Sequence, residues 1–132
     1  MNKVYTYEYD AAYDPAMPVV DIEIGRAMVE TSLALTALVD SGADATMIPV
    51  HYLRQIRARR SRKKWMRGTT GERMLVDLYS ISIQLGPFAK THLEAVGDSQ
   101  NDEVIVGRDV LNHLSVNLNG PASAVEIAAD IF

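Results

Sequence analysis

Apolar residues at alternate positions, interrupted by a turn signal every ~10 residues, most restrict the folds open to this chain. Val20, Ile22 and Ile24 alternate with Asp21 and Glu23, and Leu33, Leu35 and Ala37 repeat the pattern in a return strand expected over Val29–Val39. Tyr5, Tyr7 and Tyr9 alternate with Thr6 and Glu8 in the same way. A period of two places one face of a strand against a core and the other in water. Asp14-Pro15, Pro18, Gly25-Arg26, Gly86-Pro87 and Asn119-Gly120-Pro121 punctuate these segments. Gly68-Thr69-Thr70-Gly71 lies between Trp65–Arg67 and Arg73–Leu85 and suits the tip of a β-hairpin. Further strands are expected over Thr91–Val96, Val104–Val106 and Ala124–Ile127. Helical spacing occurs in two short places: Val50, Leu53 and Ile56 behind Pro49, and Val110, Leu111 and Leu114. Many short strands with one or two short helices predict an all-β barrel or sandwich, one domain per chain.

The second alternating strand ends in Leu38-Val39-Asp40-Ser41-Gly42-Ala43. An acid at the end of an apolar strand sits where isolated charge is costly, and it enters a turn that glycine permits. Hydrogen bonds from the neighbouring hydroxyl and glycine amides would hold such a carboxylate rigidly and favour its charged form. Taken alone, the sextet fits a structural turn aspartate equally well. The motif has no second copy in the chain, so a two-aspartate site would need a second chain. Were a two-fold axis to pass beside Asp40, the paired carboxylates could not both ionise. One would keep a proton and serve as general acid, the other as general base. A water between them could then be activated to attack a peptide carbonyl.

Composition removes several other chemistries. The chain of 132 residues contains no cysteine, which excludes disulfides, thiolate metal sites and a cysteine nucleophile. His51, His92 and His113 lack ligand spacing, so no metal is expected. Ser41 has no Gly-x-Ser-x-Gly elbow around it. No apolar run reaches the roughly 20 residues of a membrane-spanning helix, and Met1–Tyr5 lacks the apolar core of a signal peptide. A cytoplasmic protein without a membrane partner is the expectation.

Three blocks together resemble the retropepsins, the retroviral-type aspartic proteases, and in particular their single-domain bacterial members. The first is Leu38–Ala43, extended by Asp44. The second is the glycine-tipped hairpin over 65–77, in the place of the family's flap. The third is Val104-Ile105-Val106-Gly107-Arg108-Asp109-Val110-Leu111, similar to the apolar-apolar-Gly-Arg-x-x-Leu signature that opens the family's C-terminal helix. The resemblance implies a retropepsin-like barrel over 19–132, preceded by an N-terminal extension over 1–18 whose strand is expected at a dimer interface. It implies an aspartic endopeptidase, acting as a homodimer on peptide or protein substrates without a cofactor. Asp40 would be the catalytic acid of each subunit. Ser41 would bond across the two-fold axis and, with Gly42, support the catalytic loop. Gly42, Ala43 and Asp44 would contact substrate backbone, and Asp44 would pair with Arg108. Gly68, Thr69, Thr70 and Gly71 would form a mobile flap tip that closes over substrate and excludes water.

Other readings stand beside this one. The same fold could serve as a non-catalytic peptide-binding or dimerisation module that retains Asp40 as a relic. Seven of the thirteen basic residues fall between Arg54 and Lys64 with no acid among them, leaving six cations against seventeen carboxylates elsewhere. Such a run reads as a charged edge strand, and its place before the flap also allows a role in choosing acidic substrates. A nucleic-acid surface is the sharper reading, but the acidic remainder and the lack of interleaved aromatics argue against it. Trp65 is expected either to pack under the hairpin, the favoured reading, or to line a substrate pocket, and Asp77 and Asp109 are read as surface or turn acids.

Overall fold

The computed structural model describes residues 3–68 and 70–130. In chain order its elements are β1 (Tyr5–Glu8), β2 (Val19–Arg26), β3 (Leu33–Val39), β4 (Met47–Pro49), α1 (Val50–Gln55), β5 (Arg59–Arg67), β6 (Arg73–Leu85), β7 (Phe88–Asp98), β8 (Val104–Val106), α2 (Arg108–Leu111), β9 (Ser115–Asn119) and β10 (Ala124–Ala128). The expected all-β class with two short helices is what the chain adopts.

The larger sheet runs β2-β3-β8-β4-β7-β6-β5, and β2 also pairs with β6, which closes it into a barrel. Strand β6 makes the closure possible because it is long enough to serve two partners along one edge. Its first half, Arg73 to Ser80, pairs with β5; its second half, Ile81 to Gln84, pairs with β2. The β5–β6 hairpin therefore projects from the barrel wall as an arm. Strands β3 and β8 are parallel, as are β4 and β7, so the ends of β3 and β8 arrive side by side.

The alternation read from β2 becomes the core. Val20, Ile22 and Ile24 are fully buried, whereas Asp21 and Glu23 face out. Ile48, Leu53, Ile81, Ile83, Leu85, Val106 and Val110 join the same cluster. Each such side chain stabilises the fold by roughly 1.5–3 kcal/mol relative to exposure. A second sheet, β1-β10-β9, places Tyr5 opposite Ile127 and Tyr7 opposite Val125. The N-terminal strand thus forms within its own chain.

Two local expectations change. Gly25-Arg26 is not a turn: β2 continues through both residues and pairs them with Ser82 and Ile81. The glycine is needed there for space, since a Cβ would lie 2.6 Å from the Glu30 carbonyl oxygen and 2.9 Å from Ser82 Oγ. The return strand also begins later than Val29, at Leu33.

Candidate active site

Strand β3 carries Asp40 to the barrel rim. Val39 N–H donates to Pro18 O at 3.1 Å and Asp40 N–H donates to Val106 O at 3.1 Å, so neighbouring backbone holds the strand end on both sides. The chain then turns, with Ala43 N–H donating to Asp40 O at 3.2 Å. Gly42 N–H donates to Asp40 Oδ1 at 2.9 Å and sets the carboxylate's orientation. The expectation of a charge at a buried strand end needs correction. β3 is only half-buried, and Asp40 is exposed on the single chain.

Arg108 grips this loop at three points. Its Nη1 donates to Ser41 O at 2.7 Å, its Nη2 donates to the Asp44 carboxylate, and its backbone N–H donates to Ala43 O at 2.9 Å. An exposed ion pair alone contributes little, ~0–1 kcal/mol. Three bonds from one residue to three loop positions instead fix the loop's shape. Gly107 lets the two segments approach: a Cβ there would lie 2.7 Å from the backbone carbon and oxygen of Ala45 and 2.9 Å from Ala43 O.

A second clamp lies beneath. Thr46 is fully buried, and its N–H donates to both Asp109 carboxylate oxygens at 3.0 Å. Its hydroxyl donates to Asp109 Oδ1 at 2.8 Å and accepts the Gly107 N–H at 3.3 Å. Asp109 is therefore not a simple surface acid; it ties the loop that follows Asp40 to α2. The available signal is a lone hydroxyl within the apolar stretch Ala45-Thr46-Met47-Ile48.

A trough of about 440 Å³ opens beside the carboxylate. Asp40, Gly42, Ala43 and Asp44 line it from the loop, and Met66, Arg67, Gly68, Met74 and Val76 line it from the β5–β6 arm. The lining is mostly apolar, with Asp40 among its few polar groups. The arm's tip is closed by Gly68 N–H to Glu72 O at 2.7 Å and Gly71 N–H to Gly68 O at 3.0 Å. Thr70 and Gly71 are exposed and do not line the trough; Thr69 lies outside the described residues. The loop and the arm thus meet around one concave surface, and Arg108, 68 sequence positions from Asp40, holds the loop from outside that lining.

The family model described as gag-polyprotein putative aspartyl protease matches residues 26–113, a span that includes the Asp40 loop, the arm and Arg108. The chain belongs to this family. Among solved structures, a retropepsin-like aspartic protease from Rickettsia conorii aligns over 100% of this chain and 97% of its own, with TM-score 0.66 and 9% identity. The EIAV protease, complexed with an inhibitor, aligns over 73% of this chain and 86% of its own, with TM-score 0.51 and 21% identity. At these identities the likenesses establish the fold. No curated protein sequence matches the chain.

In this chain the basic run forms most of β5, at the edge of the larger sheet. Several of its cations are occupied by the chain's own acids: Arg60 and Lys63 contact Asp77 at 3.5 and 3.2 Å, and Arg62 contacts Glu94 at 3.1 Å. Lys63, followed by Arg60, holds the Asp77 carboxyl below its ordinary value against the opposing effect of burial. Arg62, assisted by the Ser61 hydroxyl, does the same for Glu94. Asp77 is thus a cross-strand partner rather than a turn acid. Trp65 does not pack under the arm; it is 56% exposed, with the Arg73 guanidinium 5.2 Å from its ring centroid. Among the described residues no group of three or more His, Asp or Glu side chains comes together as a metal site. No helix there is long and apolar enough to cross a membrane.

Proposed function

We propose that the protein is an aspartic endopeptidase whose site is completed by a second copy of the chain, with the two Asp40 carboxylates facing each other across the two-fold axis. The observation that carries this reading is the position of Asp40: oriented by the Gly42 amide, exposed at the rim and opening onto a largely apolar trough under an arm. A lone exposed carboxylate is too weak a base for peptide hydrolysis, whereas two that share one proton provide an acid and a base together.

In the dimer, the ionised Asp40 takes a proton from the water as its oxygen attacks the peptide carbonyl carbon. The protonated Asp40 of the second copy gives its proton to the carbonyl oxygen, forming a tetrahedral diol. On collapse the first carboxyl donates its proton to the amide nitrogen and the second takes one from the diol. The C–N bond breaks, and the dyad again holds one proton. Ser41 and Gly42 support the catalytic loop, Gly42, Ala43 and Asp44 contact substrate backbone, and Arg108 holds Asp44. The arm's tip, at Gly68, Thr70 and Gly71, closes over the bound peptide. The outer edge of β1, which has no strand partner among the described residues, offers a further place for the second copy to add.

Cleavage of a random peptide library by the purified protein, compared with Asp40→Ala, tests this reading. Turnover blocked by a pepstatin-type transition-state mimic and absent from a folded, dimeric Asp40→Ala is expected. Equal cleavage by the two proteins would overturn it. Peptide binding without turnover in the intact chain would instead favour a binding module.

A further inference from the structure

We propose that this site selects substrates carrying an acidic side chain, and that Lys64 on β5 is the residue that reads it. The inference rests on the peptidase reading and names its substrate class.

Beside the Asp40 trough lies a second cavity of about 280 Å³, which shares Asp44, Ala45, Met66, Arg67 and Val96 with it. Its outer wall is β5. In that strand Arg62 pairs with Leu78, Lys64 with Val76 and Met66 with Met74. Val76 and Met74 line the trough, and Leu78 lines the second cavity. Side chains alternate along a strand, so Arg62, Lys64 and Met66 share one face, and Trp65 and Arg67 of the same strand also border the cavity. Lys63 pairs with Asp77 on the opposite face.

The charges on this wall do not balance locally. Glu94 is held by Arg62 at 3.1 Å and by the Ser61 hydroxyl at 2.8 Å. Asp44 is held by Arg108, and both Asp109 oxygens are turned to Thr46. Each acid lining the cavity therefore has its own donor. Lys64 and Arg67, the other cations of this lining, have no carboxylate partner among the described residues; Arg67 is shared with the trough, whereas Lys64 belongs to this lobe alone. A peptide extended along the trough directs alternate side chains towards the arm, and one entering this lobe meets the Lys64 ammonium. An aspartate or glutamate there supplies the missing partner; a lysine or arginine is repelled. Because a two-fold axis would generate the lobe twice, the preference is expected on both sides of the scissile bond.

The test measures the ratio of kcat/KM for paired peptides that differ only by Glu or Lys at the selected position, found by library profiling. The wild-type ratio is expected to favour Glu by about five-fold, the scale of one exposed ion pair, and to shrink as salt is raised. Lys64→Gln should bring the ratio close to one, and Lys64→Glu should invert it. Lys90→Glu, an equal charge change on β7 away from the site, should leave the ratio alone. The same peptides are titrated by fluorescence anisotropy against folded Asp40→Ala protein, which reads selection without turnover. Cleavage with no Glu preference, or a preference that survives Lys64→Glu, overturns the inference and leaves the peptidase reading standing. Lys64-dependent binding of the Glu peptide by a protein that cleaves nothing overturns the peptidase reading and upholds the lobe.

Discussion

Replacing Thr46 with valine tests whether the buried clamp behind Asp40 holds the loop. Valine has nearly the same shape, so the substitution removes a hydroxyl and little volume. The hydroxyl's bond to the Asp109 carboxylate, 2.8 Å long, is lost; bonds to charged groups contribute roughly 1.5–3 kcal/mol. The Gly107 N–H, which donates to that hydroxyl at 3.3 Å, is left without its acceptor, at a further cost of about 1–3 kcal/mol. The two losses share one network and do not add fully, and Asp109 keeps the Thr46 N–H. A destabilisation of about 3 kcal/mol is expected. For 132 residues that corresponds to a fall in Tm of about 10 °C. Thr46→Ser keeps the hydroxyl and loses only a methyl group, at about 1 kcal/mol. Circular dichroism melts at matched protein concentration compare the two, since a dimer's Tm depends on concentration. A Thr46→Val protein that melts no lower than Thr46→Ser would refute the clamp.

Gly107→Ala should destabilise the chain or displace the Asp40 loop, because its Cβ would meet Ala45 backbone at 2.7 Å; unchanged melting and peptide cleavage would contradict this. Arg108→Lys keeps the charge but loses the planar fork that aims separate Nη donors at Ser41 O and Asp44. Its kcat/KM is expected to fall by about ten-fold, the scale of one well-placed hydrogen bond, while the urea midpoint moves little. Asp77 has a folded pKa below its unfolded one, chiefly through Lys63. Its contribution to stability is therefore complete above the unfolded value of about 4 and is lost as pH falls through the folded value. Asp77→Asn should flatten the acid limb of the stability curve between about pH 5 and 3, as read by urea denaturation, with no change in slope near neutrality.

The parts of the site that lie in one local stretch are legible in the sequence. An apolar strand running into Asp40-Ser41-Gly42 announces an acid at a glycine turn, and Val104–Leu111 announces a short strand followed by a helical turn. Long-range pairing leaves no such trace. Nothing local shows that β6 divides its edge between β5 and β2, which closes the barrel. Gly25 looks like punctuation in the sequence, whereas in the fold it makes room for the backbone of Glu30. Asp109 looks like a surface acid because its partner Thr46 is distant in the chain and the more conspicuous Arg108 is adjacent. Trp65 departs from expectation for a third reason: the face of an edge strand that meets solvent depends on register, and β5 carries an irregularity between Arg60 and Arg62.

A shared site requires two copies of Asp40. Equal amounts of wild-type and Asp40→Ala subunits, co-refolded so that partners mix, test it directly. With random pairing about a quarter of the dimers keep both aspartates, so total cleavage should fall to about half that of the wild-type subunits alone. Activity that stays undiminished after subunit exchange has been verified would mean that each chain works alone, and would contradict the shared site.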